Sequence, residues 1–497
     1  MIRIDDGESV SGYPERRDHL AMTSYEYRGT NFMMLTRRQL LQSTASGFGY
    51  LAFAALAHEA AANEVQAAGP LASKEPHFPA RAKRVIFLCM DGGPSHVDTF
   101  DYKPKLVTDD GKLYDKGGLS GAKLLAPTTR FKQYGRSGLW VSDLFPEVAK
   151  HADELCLLRG MYTDVPAHPQ AFLQMHCGVF QFPRPSLGAW VLYGLGTENQ
   201  NLPGFVTLSP PTHNGGSANY GSQFLPAIYQ GTKIGTGAGI GSGARREIGL
   251  SHPGNIRNSR RSIAAQRAQL DFVQSLNRTQ LESDAVNLGV EGMIESYELA
   301  FRMQTDLPKL LDLNAETRET QALYGIGDGR TESFARQCLL ARRMVESGVR
   351  FVEVAYSGWD QHRNLREDLS RNCSAVDKPI AGLLADLKRR DLLKETLVIW
   401  GGEFGRTPTA QNSNGRDHNN KGYTLWMAGG GMKGGLSYGT TDDYGFEAVD
   451  GKVHIHDWHA TILHLLGLDH ENLTYRHAGR EMRLTDTKGT VVKEILA

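Results

Sequence analysis

An α/β fold with a mostly parallel central sheet and helices on both faces is predicted by three features of this 497-residue chain. Short apolar runs without polar alternation read as strands buried on both sides. Stretches with helical apolar spacing lie between them. The two patterns alternate along the chain, which is the order a parallel sheet with crossover helices requires.

The first strand is Arg84–Met90, RVIFLCM, and it runs directly into Asp91-Gly92-Gly93. Further buried strands read at Leu155–Leu158, Phe351–Ala355, Thr396–Trp400 and Tyr423–Met427. Helical periods are clearest over Gln266–Leu281, Glu291–Met303, Glu332–Glu346 and Val376–Arg389, with a last helix at Ala460–Leu466. Residues 69–83 hold Pro70, Pro76 and Pro79 among polar residues and read as an extended linker. Residues 209–262, rich in Gly, Ser and Asn, read as a long irregular excursion. Within them Gly239–Ala244 spells G-x-G-x-x-A, but the strand before it is weak and the sequence after it is basic, so no dinucleotide loop is assigned.

Composition narrows the function. Lys plus Arg number 55, as do Asp plus Glu, which argues against a nucleic-acid binder with its usual basic excess. Hydrophobic residues at 40% and charged residues at 22% fit an ordinary globular protein. The five cysteines include no C-x-x-C pair, so neither a zinc knuckle nor a thioredoxin-like motif is present. Cys89 and Cys156 lie in strand-like runs and read as small buried hydrophobes.

The N-terminal text reads as an address. Thr36-Arg37-Arg38-Gln39-Leu40-Leu41 precedes an apolar stretch to Leu56 and Ala-rich sequence to Ala68. Paired arginines in that setting match a twin-arginine export signal over 33–68, and residues 1–32 read as an extension upstream of Met33 or Met34. The twin-arginine export machinery is thus an expected partner, and the periplasm or exterior the expected location. The apolar stretch is too short and too broken for a stable membrane span.

In an open parallel sheet, ligands gather beyond the carboxyl ends of the strands. Asp91 follows the first strand there. After Phe351–Ala355 come Asp360 and His362, two residues apart and therefore on one side of an extended segment. Both are good ligands for zinc or manganese. After Thr396–Trp400 come Glu403 and Arg406. Glu403 is poised as a ligand, and the planar fork of Arg406 suits an anionic oxygen pair or an ion pair that shapes the turn. His418 follows in the loop Gly415–Asn420. His454, His456 and His459 surround Asp457, which reads as a helix N-cap. Taken singly, each of these fits a turn or a cap, but the first four groups share one edge of one inferred sheet.

The runs RVIFLCMDGGPSHVDTFDYKP, SGWDQHRN, GGEFGRTP and GRDHN, in that order behind a twin-arginine signal, resemble the exported bacterial family known as domain of unknown function 1501. That family is similar in fold to alkaline phosphatases and sulfatases, and the resemblance assigns 84–490 to an alkaline phosphatase-like domain. It implies a metal-dependent hydrolase of phosphate or sulfate esters, acting on a small-molecule or polysaccharide ester. It implies one or two divalent ions (zinc, manganese, calcium or magnesium), held by Asp91, Asp360, His362, Glu403 and His418. Where the superfamily carries Asp-His-Gly, this chain has Glu403-Phe404-Gly405, so the centre of Asp91 and Glu403 lacks a ligand. Near the superfamily's nucleophile position stands His168, a candidate ligand, phosphoryl acceptor or general acid, with Thr163 as the earlier hydroxyl. No Cys-x-Pro-x-Arg run is present, which disfavours a formylglycine sulfatase. Arg406 would stabilise the leaving anion's oxygens.

The rival reading is a catalytically retired relative, a metal-stabilised envelope or glycan-binding protein. Trp190, Trp359 and Trp400 read as core and do not favour a sugar platform. A serine hydrolase has little support.

Overall fold

The apolar run Arg84–Asp91 (β1) lies inside a nine-stranded sheet. Its side chains alternate between faces, as a pleated strand requires. Ile86, Leu88 and Met90 enter one apolar cluster, while Val85, Phe87 and Cys89 enter the other. The other strands are β2 (Leu155–Tyr162), β3 (Phe205–Leu208), β4 (Thr232–Ile234), β5 (Phe351–Ser357), β6 (Thr396–Gly401), β7 (Tyr423–Ala428), β8 (Leu436–Tyr438) and β9 (Val453–His454). Their order is β8-β2-β7-β6-β1-β5-β3-β4, with β9 also beside β2.

This computed structural model describes residues 69–116, 118–119, 121–235, 260–283 and 288–497. The expected extension (1–32), the expected signal (33–68) and the glycine run Gly239–Ala244 lie outside them.

β1 pairs in parallel with β6 (Val85 opposite Leu397) and with β5 (Val85 opposite Phe351). β3 and β4 continue the parallel run. β7 alone is reversed, antiparallel to both β6 and β2. The reversal matters for function. It brings the amino end of β7, and the loop before it, to the edge where the other strands have their carboxyl ends.

The principal helices are α1 (His168–Cys177), α2 (Leu187–Leu195), α3 (Ile263–Ser283), α4 (Leu288–Leu311), α5 (Glu332–Glu346), α6 (Leu365–Arg389) and α7 (Ile455–Leu465). Phe172 of α1, Trp190 of α2 and Trp458 of α7 pack on one face of the sheet. Cys338 and Leu339 of α5 and Leu369, Val376 and Leu383 of α6 pack on the other. Each fully buried large apolar side chain contributes roughly 1.5–3 kcal/mol to holding these layers together. The expected arrangement of helices on both faces is therefore present, as are the buried Trp190, Trp359 and Trp400. All five cysteines are buried and free.

Several expected boundaries shift for physical reasons. α6 begins well before Val376, because Leu365, Leu369 and Cys373 extend the apolar stripe by steps of four beneath a charged outer face. β4 emerges inside the stretch read as irregular, and β3 just before it, where no strand was expected. Residues 69–83 contain no helix or strand, yet they do not hang free as a linker. Lys74 N donates to Leu195 O (2.9 Å) and Ala82 N to Leu465 O (2.8 Å), satisfying carbonyls at the ends of α2 and α7. The cap of α7 is His454 rather than Asp457. Asp457 occupies the third helical position, and its carboxylate accepts the His454 backbone N–H (2.9 Å). Among the described residues no helix is long and apolar enough to cross a membrane.

Candidate metal centre

The strand ends deliver the predicted side chains to one place. Asp360 and His362 follow β5, Glu403 and Arg406 follow β6, and Asp91 ends β1. His168 opens α1 beyond β2, and His418 precedes the reversed β7. Two glycines permit the close approach. Gly92 has φ +118°, and a Cβ there would lie 2.6 Å from Asp360 N. A Cβ on Gly415 would lie 2.0 Å from the His362 carbonyl carbon.

His168, Asp360, His362 and His418 each offer a ligand atom, all within 4.8 Å of one another. Asp360 Oδ1 is the common point. It lies 3.2 Å from His168 Nε2, 2.8 Å from His362 Nε2 and 3.2 Å from His418 Nε2. The opposite nitrogen of each ring has its own partner. His168 Nδ1 meets Glu403 Oε1 (2.5 Å), His362 Nδ1 meets the Gln411 side-chain oxygen, and His418 Nδ1 meets Pro166 O (2.7 Å). The carboxylate and carbonyl partners only accept, so each Nδ1 carries a proton and donates it. The three rings therefore turn their Nε2 atoms inward, and Nε2 is the nitrogen each has left to offer a metal. His168 Nε2 is buried and has no hydrogen-bond partner in line.

Around this cluster the groups are braced. Glu403 is almost fully buried and accepts Gly92 N (3.2 Å) and Gly93 N (3.2 Å) as well as His168. Phe404 packs its ring on His168 (4.8 Å) and His418 (4.7 Å), forming a wall. Arg406 is fully buried. Its guanidinium donates to Gly93 O (2.9 Å), Gly92 O, Arg416 O (3.3 Å) and Asp360 Oδ1 (2.6 Å). The expected contact of Arg406 with a substrate anion does not agree with this placement, because its donors are taken by backbone carbonyls and Asp360. Burial would raise the Asp360 carboxyl, but His168, His418 and Arg406 together hold it well below the usual carboxylate range. Burial opposes charge on His168, yet Asp360 and Glu403 outweigh it and push the pKa up to about 9 in the protein alone.

Asp91 sits apart from the four-ligand group. It accepts Asn214 Nδ2 (2.9 Å), Ser357 Oγ (2.8 Å) and His213 Nε2 (3.2 Å). Burial works against the Asp91 carboxylate, but these three donors hold it below its usual range. The hydrogen bond to Asp91 holds His213 above its own usual value. His213 and Asn214 went unread in the sequence, since they lie in the segment taken as irregular. Their one signal was position after an unrecognised strand, β3. Thr163 is turned inward, with Oγ1 donating to Gln174 Oε1 (2.8 Å).

Fold and site thus define an α/β chain with a histidine-rich ligand cluster at the carboxyl edge of its sheet. The chain belongs to the family described as Protein of unknown function (DUF1501), which it matches over residues 82–496. No curated protein matches it by sequence. Among solved structures it is similar to the lipoteichoic acid synthase LtaP from Listeria monocytogenes, at 9% identity over 83% of this chain and 78% of that one, with a TM-score of 0.37. It is also similar to the PsFucS1 sulfatase from Pseudoalteromonas sp., at 14% identity over 79% and 68%, TM-score 0.32. A third is the alkaline phosphatase from the Antarctic bacterium TAB5, at 11% identity over 73% and 94%, TM-score 0.28.

Proposed function

We propose that this chain is an exported, metal-dependent hydrolase of phosphate or sulfate esters. One observation carries the reading. Three imidazole Nε2 atoms converge on Asp360 Oδ1, each oriented by a partner on its far nitrogen. Lone pairs meeting a carboxylate in this way call for a cation. Three nitrogens and one carboxylate suit zinc better than calcium or magnesium, which prefer oxygen ligands. An ion held there would supply Lewis acidity and a water of lowered pKa.

The chain's own residues do the rest. Glu403 fixes the tautomer of His168 and ties the Gly92-Gly93 turn to it. Arg406 positions Asp360 from beneath. Asp91 orients His213, a ring able to hold or release a proton beside the cluster. Substrates would be anionic small molecules or polysaccharide esters outside the cytoplasm. The twin-arginine reading of residues 33–68 supports that location, since this route carries folded, cofactor-loaded proteins.

The inward Thr163 and the buried Arg406 favour a second reading, a metal-stabilised binding protein of the envelope. A screen of zinc-loaded protein on nitrophenyl phosphate and nitrophenyl sulfate separates the two. Turnover that disappears in His362→Ala supports the hydrolase. Metal binding without turnover on either ester, or on sulfated and phosphorylated glycans, supports the binding protein.

A further inference from the structure

Beneath the cluster, three more ligand-type side chains meet inside the protein. Cys89 on β1, Glu353 on β5 and His176 on α1 bring a sulfur, a carboxylate oxygen and a ring nitrogen within 4.8 Å of one another. Cys89 is 0% exposed, Glu353 1% and His176 4%. Their places in the chain tie them to the site above. Cys89 precedes Asp91 by two residues, Glu353 precedes Ser357 on the same strand, and His176 lies two turns along α1 from His168.

The protons on His176 decide what this spot can hold. Its Nδ1 lies 2.8 Å from Phe172 O, which only accepts, so Nδ1 carries a proton. Its Nε2 lies 3.1 Å from Glu353 Oε2. As a neutral ring, His176 would aim a lone pair at a carboxylate. The other Glu353 oxygen has the Thr207 hydroxyl at 3.4 Å. Cys89 lies in the same apolar layer as Phe87 and Met175, where an unpartnered charge is costly. Either His176 takes a second proton and pairs with Glu353 beside an idle thiol, or a cation joins all three groups.

We propose that Cys89, His176 and Glu353 form a second metal site that takes zinc. Thiolate, imidazole and carboxylate are each zinc ligands, and thiolate separates zinc from calcium and magnesium. Two anionic ligands neutralise the divalent ion, so the buried unit carries no net charge. On loading, a bond forms between zinc and Sγ while the S–H bond breaks, and a bond forms between zinc and His176 Nε2, which gives up the proton it shares with Glu353. Both protons leave to water, and nothing is oxidised or reduced. The site pins β1, β5 and α1 together, and of these α1 carries His168 and β5 leads to Asp360 and His362 of the upper cluster.

Cobalt reports this site by itself, because the upper cluster contains no sulfur. Protein produced in cobalt-supplemented cells should show a thiolate-to-cobalt charge-transfer band in the near ultraviolet. The band should vanish in Cys89→Ser, and in Cys89→Ala if the hydroxyl is not tolerated. It should persist in His418→Ala, which touches only the upper cluster. A cobalt-loaded wild-type protein without that band overturns the proposal and leaves a buried His176–Glu353 ion pair. So does a band that survives replacement of Cys89.

Discussion

His362 Nε2 and His418 Nε2 face each other at 2.9 Å, while the Nδ1 of each ring is committed to a partner elsewhere. The His418 Nδ1 proton goes to Pro166 O, and that of His362 goes to Gln411. Two lone pairs in contact repel unless a proton or a metal ion lies between them. With Asp360 and His168 at the same point, a metal ion accounts for all four groups at once.

Metal and proton should therefore compete. His168 holds its proton up to about pH 9 in the protein alone, because Asp360 and Glu403 outweigh its burial. Loading zinc near pH 7 must then expel about one proton from His168. Apparent affinity should rise with pH from 6 toward 9 and level off above. Titration calorimetry in buffers of differing ionisation enthalpy counts the protons released. Affinity that does not change over that window would contradict the assignment of His168.

Glu403→Gln tests the brace behind His168. The amide keeps an acceptor for one backbone N–H but loses the charge that fixes the ring. Zinc affinity should fall roughly 10–100-fold with the fold retained, as for other groups that orient a ligating histidine. Competition against a chromophoric chelator reads the change. Equal affinities in the two proteins would remove Glu403 from the account.

Arg406 is expected to act on structure before it acts on chemistry. Arg406→Met takes the guanidinium from Asp360 and leaves several buried backbone carbonyls without a donor, which should cost roughly 1–3 kcal/mol of stability for each carbonyl left unsatisfied. Arg406→Lys should recover little of this, because an ammonium cannot reproduce a planar fork with five donors. The urea midpoint measures both. An unchanged midpoint together with lost turnover would mean that the guanidinium meets substrate after all.

Stability should fall in mild acid through the histidines of α7. Burial lowers the pKa of His459 to about 3 from 6.5, so the folded protein refuses a proton that the unfolded chain takes. The unfolded state binds more protons across that window, so stability rises with pH from about 3 to 6.5 and is lost as pH falls through it. His459→Gln, which can still donate to Met175 O, should flatten the slope of unfolding free energy against pH by about one proton. An identical slope in the variant would show that His459 is not the titrating group.

The strands that carry the site were legible because they are buried on both faces. Arg84–Asp91, Phe351–Ser357 and Thr396–Gly401 are nearly unbroken apolar text, and each ends in a polar residue or a glycine turn. Asp360, His362 and His418 could be picked out because they follow or precede such strands. The direction of β7 could not be read, since an apolar run carries no sign of parallel or antiparallel pairing. β3 was hidden by its length of four residues, and with it went His213 and Asn214. The role of Arg406 was misjudged because sequence shows that a guanidinium is present but not which carbonyls surround it. The triad of Cys89, His176 and Glu353 left no motif, as its members come from three distant segments and two of them lie within apolar strands.

The central claim, a metal ion held by His168, Asp360, His362 and His418, is tested most directly by elemental analysis of the purified chain beside His418→Ala. The account predicts zinc or a similar transition metal in the wild-type protein and about one ion fewer per chain in the variant, with the far-ultraviolet dichroism unchanged. Equal metal content in the two proteins, or none in either after reconstitution, would contradict it.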